Sequence, residues 1–349
     1  MAAYISFQPS DFFSTLLYSY GALPSSVTGV GFSSNMVVIK SINGTSGANN
    51  WYAGNTVMGN TISNNWNGTA IETSTDSITS YDADGYTMGA DATNNINETG
   101  TNYVAYSWKA GTSSGLSGGT ITPTAYSFSA TAGVSIVQYD GNSTSGATVP
   151  HGLGVAPKMV MVKCLDTAEN WCLGHTSFGF TKWIPLDTSG TPTTTAVTWN
   201  DTAPTSTLVT LGDNSLVNTH STLGYIMYSF ADVTGFQHHG SYTGNGDVDG
   251  PMVYTGFRPA FVMIKRLNSS DNWVCFDNKR QGYNETNYIS YPNLNLAEAT
   301  STPYFDIVAN GFKVRWNDSK ANTDGNTYLY SAWAEFPIVS SNSKPGVAR

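Results

Sequence analysis

Histidine is the side chain best suited to metal binding and acid–base chemistry near neutral pH. None of the five histidines of this sequence stands at an HxxxH or HExxH spacing. They are His151, His175, His220, His238 and His239. Neighbouring side chains diverge on a strand, so packing at a turn or interface is the simpler interpretation of His238 and His239. The histidines therefore predict no metal site.

Carboxylates are the second group that could do chemistry. Cleavage of a glycosidic bond needs two carboxyl groups that flank the bond, and no spacing pairs the available ones, Glu72, Asp187, Glu285 and Glu298. The stretch Gly111-Thr-Ser113-Ser-Gly115 matches a nucleophile motif, but it lies in a Gly/Ser-rich segment, where no strand–turn–helix elbow is expected. We predict that the chain is not an enzyme and uses no cofactor.

Two acidic loops are similar in part to calcium-binding loops. They are Asp82-Ala-Asp84-Gly85 and Asp247-Val-Asp249-Gly250. Neither has a third acidic ligand or the distant glutamate of such a loop, and Asp-Gly pairs are typical of hairpin turns. Turn formation is the simpler interpretation, and calcium binding stays open as the alternative.

Aromatic and charged side chains are the candidates for a binding surface. Large rings on polar loops often mark such a surface, including one for sugars, although they also fill space under a loop or at a subunit contact. A second candidate is a local charged cluster in a chain in which 11% of residues are charged, with an exposed ion pair as the alternative. The predicted contact residues are Trp66, Trp183, Trp199, Trp316, Asp277, Lys279, Arg280 and Tyr283.

An internal repeat indicates the elements that must position these residues. Each copy has a short apolar strand that ends in a lysine, at Lys40, Lys163 and Lys265. An Asn-Trp pair follows each lysine and is expected in the core, at Trp51, Trp171 and Trp273. A tyrosine-rich strand begins 63, 62 and 63 residues after the lysines, at Tyr103, Tyr225 and Tyr328. Chance does not readily produce these spacings.

The copies have the pattern of β-strands throughout. The first tyrosine-rich strand alternates, with Val104, Tyr106 and Trp108 on one face. The lysine strands are apolar at successive positions, as expected for strands covered on both faces. We predict an all-β fold of three tandem, independently folded, jelly-roll-like β-sandwich repeats of about 100 residues.

The repeat also predicts the domain boundaries. The three repeats occupy residues 1–109, 127–235 and 236–340, and a C-terminal tail occupies 341–349. Extra residues between the first two repeats fall in 110–126, a Gly/Ser/Thr linker whose composition predicts a hinge or an arm.

Composition limits the class of partner. The net charge is −9 and the sequence pI is about 4.8, which disfavours nucleic acid. No apolar run approaches the ~18 residues of a transmembrane helix, and the three cysteines show no CxxC spacing. We therefore expect no nucleic acid, no membrane insertion and no disulfide framework.

Several stretches are similar to one known family. They include Ser6-Phe-Gln-Pro-Ser-Asp-Phe-Phe13, His151-Gly-Leu-Gly-Val-Ala-Pro-Lys-Met159, Gly240-Ser-Tyr-Thr-Gly-Asn-Gly246 and Tyr254-Thr-Gly-Phe-Arg-Pro-Ala-Phe-Val262. Over essentially the whole chain the sequence resembles virion proteins of marine bacteriophages that infect cyanobacteria and abundant ocean heterotrophs. The resemblance implies a tail-associated or surface-exposed protein of the virion, assembled in the host cytoplasm, and supplies no catalytic residues.

Three functions follow as hypotheses. The first is a structural virion protein, a tail fibre or adhesin that contacts a glycan or protein of the host surface. The alternative is a decoration or spike protein of the capsid. A polysaccharide-degrading tailspike is disfavoured, because the repeats of about 20–25 residues typical of a parallel β-helix do not occur. Since virion appendages usually have cyclic symmetry, we expect a homotrimer in contact with other virion proteins.

Overall fold

The fold is all-β, as the sequence predicts. The computed structural model describes residues 8–21, 25–43, 49–60, 62–73, 77–90, 96–219, 223–281, 284, 286, 288–300 and 304–336. Within these ranges the secondary structure is strands, one 3₁₀ turn and one four-residue α-helix, and no helix there is long and apolar enough to cross a membrane. The predicted C-terminal tail lies outside the described residues.

Twenty-five strands are present in the described ranges. The first unit follows a 3₁₀ turn at Pro9–Asp11 and comprises β1 (Phe13–Ser19), β2 (Ser25–Thr28), β3 (Met36–Ser41), β4 (Tyr52–Asn55), β5 (Ile62–Asn65), β6 (Ile71–Thr73), β7 (Ile78–Asp82), β8 (Gly85–Met88) and β9 (Asn102–Trp108). The second unit comprises β10 (Ala125–Ser129), β11 (Val134–Asp140), β12 (Ala147–Pro150), β13 (Met159–Cys164), β14 (Cys172–His175), β15 (Lys182–Pro185), β16 (Thr193–Thr194), α1 (Ala196–Trp199), β17 (Leu208–Leu211) and β18 (Gly224–Phe230). The third unit comprises β19 (Gln237–Thr243), β20 (Met252–Tyr254), β21 (Phe261–Arg266), β22 (Val274–Asp277), β23 (Phe305–Val308), β24 (Gly311–Val314) and β25 (Thr327–Trp333).

The same antiparallel sheet is built once in each unit. Its shared strand order is β1-β9-β3-β4 in the first unit, β11-β18-β13-β14 in the second and β19-β25-β21-β22 in the third. In every unit the tyrosine-rich strand (β9, β18 or β25) therefore lies between the lysine strand and the strand that begins this shared order (β1, β11 or β19). A smaller antiparallel sheet accompanies each large one, with the orders β2-β8-β7, β12-β17 and β20-β24-β23. Each unit is thus sandwich-like.

Each large sheet is buried on both faces. On β9, Tyr106 and Trp108 face a core shared by all three units, whereas Tyr103 and Ala105 face a core confined to the first unit. The lysine strand β3 divides in the same way, with Val38 in the shared core. The predicted alternation of β9 is confirmed, and burial on both faces explains the continuous apolar run before Lys40.

The shared core corrects the prediction of independently folded repeats. The last residues of the three tyrosine-rich strands, Trp108, Phe230 and Trp333, pack edge-to-face in pairs. Their ring centroids are 6.4 Å apart for Trp108–Phe230, 5.6 Å for Trp108–Trp333 and 5.6 Å for Phe230–Trp333. This geometry is favourable for aromatic pairs. The three units are therefore arranged about a pseudo-threefold axis that passes between these rings.

The repeated tryptophans close the units into a ring. The indole of Trp51 donates to the carbonyls of Tyr291 and Leu294 in the third unit, at 2.9 and 3.1 Å. The indole of Trp171 donates to Asn65 of the first unit at 2.8 Å. The third, Trp273, donates to Pro185 of the second unit at 2.9 Å. All three indoles are fully buried, as predicted for the core, and each bonds to a neighbouring unit.

The repeated lysines also join neighbouring units. The Nζ atoms of Lys40, Lys163 and Lys265 are buried and donate to carbonyls of the next unit, which are Asn295 at 3.3 Å, Thr69 at 2.6 Å and Ser189 at 3.2 Å. Each Nζ also donates to a carbonyl of its own unit. Burial lowers the pKa of Lys40 and Lys265 to about 8. The lysines therefore occupy equivalent environments.

The segment predicted to be a hinge is instead bonded along its length. Thr112 and Phe128 exchange backbone hydrogen bonds of 2.9 and 2.8 Å, and the amides of Thr120 and Ile121 donate to the carbonyl of Thr148. At Gly119, φ is +82° and an added Cβ would lie 2.6 Å from that carbonyl oxygen, so glycine is required there. These hydrogen bonds hold the segment as an arm along the second unit, rather than as a hinge, and Gly119 permits its close approach to Thr148. Strand β10 also begins at Ala125, within the predicted linker.

Substitution of Trp273 tests the ring. In Trp273→Phe the carbonyl of Pro185 loses its donor in a buried site, so we expect the free energy of unfolding to fall by about 1–3 kcal/mol. Because the units share a core, the whole urea transition should move together when followed by circular dichroism and by fluorescence. Trp316→Phe, at a half-buried site, is the control and should cost less. A separate transition for the third unit alone would contradict the shared core.

The pH dependence of stability tests the buried lysines. Lys265 has a pKa of about 8 when folded against 10.5 for the free side chain, so in this window the unfolded chain binds more protons and stability rises with pH. Relative to Lys265→Met, the free energy of unfolding of the wild type should increase by about 2–3 kcal/mol across the window. The raised pKa of Cys275 acts in the opposite direction, but it is present in both proteins and cancels. A difference independent of pH would contradict the lowered pKa.

Candidate binding site

Two of the four candidate tryptophans are core residues. Trp66 lies in the shared core, 2% exposed, and its ring stacks on Trp51 with centroids 5.9 Å apart. Trp199, in α1, is fully buried in the core of the second unit and packs edge-on to Phe180. The prediction that they contact a surface is therefore wrong. Both rings fill space in hydrophobic cores.

The other two tryptophans are half-buried. Trp183 packs against the core of the second unit. Trp316 packs against the core of the third unit, edge-on to Tyr304 at 4.2 Å, with Lys320 Nζ 5.2 Å from its ring centroid. Each therefore presents only part of its ring to solvent.

The charged cluster of the third unit is mostly buried. Arg280 Nε lies 2.5 Å from Asp277 Oδ2, and both side chains are at most 1% exposed. Arg280 also contacts Glu298 Oε2 at 3.2 Å and the hydroxyl of Ser290. Only Lys279 reaches the surface, where it pairs with Glu335 at 3.1 Å. Asp277 and Arg280 are thus neither an exposed recognition patch nor an exposed ion pair, and Tyr283 lies outside the described residues.

Asp277 occupies a position that recurs in each unit. It is the fourth residue after the repeated tryptophan, and its counterparts are Asn55 and His175. Each of the three side chains accepts hydrogen bonds from the backbone amides of the turn that follows. Asn55 also donates to the hydroxyl of Tyr228 in the second unit, and Asp277 accepts from that of Tyr106 in the first unit, both at 2.8 Å. The sequence signal for this position is its fixed spacing of four residues after the tryptophan.

The Asn-Trp pair has a structural role. The asparagines Asn50 and Asn272 accept hydrogen bonds from Asn67 and Asn293, while Asn170 donates to Asp187. The same three partners accept from the backbone amides of the repeated tryptophans. Asp187 is therefore the counterpart of two asparagines rather than half of a carboxylate pair, and burial raises its pKa. Of the other carboxylates considered, Glu285 and the side chain of Glu72 lie outside what the structure describes.

The acidic loops and the four described histidines are engaged within the protein, and His220 lies outside the described residues. Asp84 accepts from the amides of Gly29 and Gly31 at 3.1 and 2.6 Å, and Asp249 pairs with Lys313 at 2.8 Å. His238 and His239 diverge on β19, and their Nδ1 atoms contact the hydroxyls of Tyr330 and Ser331 at 2.8 and 2.9 Å. No group of three potential ligands that could hold a metal ion occurs among the described residues.

A groove between the first and third units brings several recognition groups together. Its cavity volume is about 500 Å³, and its lining comprises Leu17, Tyr18, Ser19, Ile42, Asn43, Asn102, Tyr103, Arg280, Tyr288 and Glu298. One wall is the end of the β1/β9 pair, where the rings of Tyr18 and Tyr103 stack with centroids 5.0 Å apart. The other wall follows the Arg280–Glu298 ion pair. Of the residues predicted as contacts, only Arg280 lines this groove.

The groove offers both apolar surface and polar groups. Leu17 is 42% exposed, and Tyr288 is half-buried beside it in the lining. The side chain of Asn43 accepts from the backbone amide of Asn102 at 2.9 Å, and the side-chain oxygen of Asn102 accepts from the hydroxyl of Ser19. Within the described residues, neither Nδ2 group has an acceptor. Burial raises the pKa of Glu298 against the opposing effect of Arg280. Such a mixture of rings, amide donors and a carboxylate suits a ligand rich in hydroxyl groups.

Removing Arg280 tests the buried charges below the groove. Arg280→Met leaves Asp277 charged and buried, so we expect a loss of about 3–5 kcal/mol in the free energy of unfolding by urea. The double variant Asp277→Asn/Arg280→Met should recover part of it, because Asn55 shows that an amide fits this position. Lys279→Met, at the surface, is the control and should cost under about 1 kcal/mol. Equal losses for Arg280→Met and Lys279→Met would contradict the assignment.

No curated protein and no solved structure matches the chain. One family model, described as a domain of unknown function (DUF7483), matches residues 8–337 and so spans all three units. The chain belongs to the DUF7483 family.

Proposed function

We propose that the chain is a structural bacteriophage virion protein, a tail fibre or adhesin that contacts a glycan or protein of the host cell surface. The resemblance to marine phage virion proteins motivates this proposal. A chain with 11% charged residues also suits a particle released into seawater, since salt reduces the small benefit of surface ion pairs. The proposal places no catalytic step on any residue.

The groove between the first and third units is the observation that carries the host contact. The half-buried ring of Tyr288, the exposed side chain of Leu17 and the Nδ2 groups of Asn43 and Asn102, which have no acceptor within the described residues, are groups suited to sugar rings and hydroxyls. A single such groove would bind weakly. Several copies on one appendage, as in the homotrimer that we propose, would add weak contacts into useful avidity.

A decoration or spike protein of the capsid is the second candidate. The pseudo-threefold arrangement of Trp108, Phe230 and Trp333 favours it, because a chain with internal threefold order matches a threefold position on a capsid. This candidate shares the virion location with the first and differs in where the chain is attached.

The location of the chain in purified particles and its binding to host cells test the proposal together. We expect mass spectrometry to detect the chain and antibody-labelled electron microscopy to place it on the tail. Purified Tyr288→Ala should bind host cells about tenfold more weakly than the wild type, a loss of about 1.4 kcal/mol. Phe336→Ala, at an exposed ring outside the groove, should bind like the wild type.

The possible outcomes separate the candidates. Label on the head facets would decide for a decoration protein, and release of reducing ends from host polysaccharide by the pure chain would decide for a tailspike. Absence of the chain from purified particles would refute a virion role altogether. Equal binding by Tyr288→Ala and wild type would refute the groove as the contact site.

A further inference from the structure

The outer strand of the small sheet differs among the three units in its surroundings. These strands are β2, β12 and β20. Each has a buried valine, namely Val27, Val149 and Val253, which pairs with a buried residue of the neighbouring strand. The valines therefore align the three strands, and the residues beside them can be compared.

In the second unit the outer edge of β12 is covered. The backbone amide of His151 donates to the carbonyl of Thr207, just before β17. Hydrogen-bonded positions alternate along an antiparallel strand. The backbone N–H and C=O of Thr148, three residues earlier, therefore point away from β17. The carbonyl of Thr148 accepts from the amides of Thr120 and Ile121 at 3.1 and 3.0 Å, and its amide donates to the hydroxyl of Thr120 at 2.8 Å. An extended segment of the same chain thus occupies this edge, with Ile121 buried.

In the third unit the equivalent edge carries exposed apolar side chains. Across the β20/β24 pair, the amide of Val314 donates to the carbonyl of Pro251, and the amide of Thr255 donates to the carbonyl of Asn310. By the same alternation, the backbone groups of Met252 and Tyr254 point away from β24. Met252 is 45% exposed and Tyr254 is 68% exposed. No backbone hydrogen bond from the described residues covers this edge.

In the first unit, no strand among the described residues pairs with the outer edge of β2. Its counterparts of Met252 and Tyr254 are Ser26 and Thr28, both exposed. Small polar residues protect an edge from association, whereas exposed apolar residues on an edge invite strand pairing. The three copies therefore present a polar edge, a covered edge and an apolar edge.

We propose that β20 is a docking edge for an extended, uncharged polypeptide segment of a partner protein. The segment adds a strand beside Met252 and Tyr254 in the way that Thr120 and Ile121 cover β12, with main-chain hydrogen bonds for affinity and side-chain contacts for selectivity. The charges near this edge favour an uncharged segment. Lys313, directly opposite Met252, already forms an ion pair with Asp249 at 2.8 Å. The net charge of −9 further disfavours an acidic one.

A peptide with the sequence of residues 116–124, blocked at both ends, is the probe. Titrated into the full chain and followed by calorimetry, it should bind with a Kd below about 1 mM. Hydrogen exchange measured by mass spectrometry should slow in the fragment that contains Met252 and Tyr254. Tyr254→Pro, which removes an outward amide, should weaken binding at least about tenfold, and Tyr254→Lys should do so without altering the backbone. Thr28→Pro, the matched change in the first unit, should bind the peptide like the wild type.

Three results would overturn the proposal. The first is no binding at about 1 mM peptide, and the second is binding that both Tyr254 variants leave unchanged. The third is a concentration-dependent mass in light scattering that Met252→Lys abolishes, which would assign the edge to a second copy of this chain. None of these measurements depends on a virion location, so the docking edge and the proposed function can fail separately.

Discussion

The burial of three strand ends against one another is the constraint on which this structure depends. Trp108, Phe230 and Trp333 end equivalent strands and meet at the pseudo-threefold axis. Once these rings are in contact, each large sheet has no face left for solvent, because its other face covers the core of its own unit. Continuous apolar runs, scarce charge and an inward lysine at the end of a buried strand all follow from this arrangement.

Buried polar groups then determine how the units fit around the axis. An indole N–H or an ammonium group buried without an acceptor would be costly. The repeated tryptophans and lysines avoid that cost by bonding to carbonyls of a neighbouring unit, for example Trp171 to Asn65 and Lys163 to Thr69. These bonds are directional, so they specify one rotation of each unit relative to the next in a way that apolar packing alone would not.

Divergence among the three units is concentrated at equivalent positions. The residue four places after the tryptophan is an amide, an imidazole or a carboxylate, yet it bonds the following turn in every unit. Only the carboxylate, Asp277, requires a buried cation, and Arg280 supplies it. This arginine also lines the groove with Glu298, so the cation that Asp277 requires lies at the boundary between the third and first units. Edge strands diverge in the same manner, from Ser26 to Thr148 to Met252.

The sequence by itself determined the β class, the threefold repeat and the burial of the repeated tryptophans, because strand periodicity and spacing are local properties of a chain. It could not show that the repeats share a core, since an apolar strand face has the same pattern whichever sheet covers it. For that reason the sequence places Trp66, Asp277 and Arg280 at a surface that the packing of neighbouring units removes, whereas Trp199 is buried in the core of its own unit. The glycine-rich segment after Ala110 differs from a hinge for a related reason. Composition does not distinguish a glycine that permits motion from one that permits close approach. Only the tertiary structure brought Leu17, Asn102 and Glu298 to one groove, since no spacing along the chain relates residues that meet across two units.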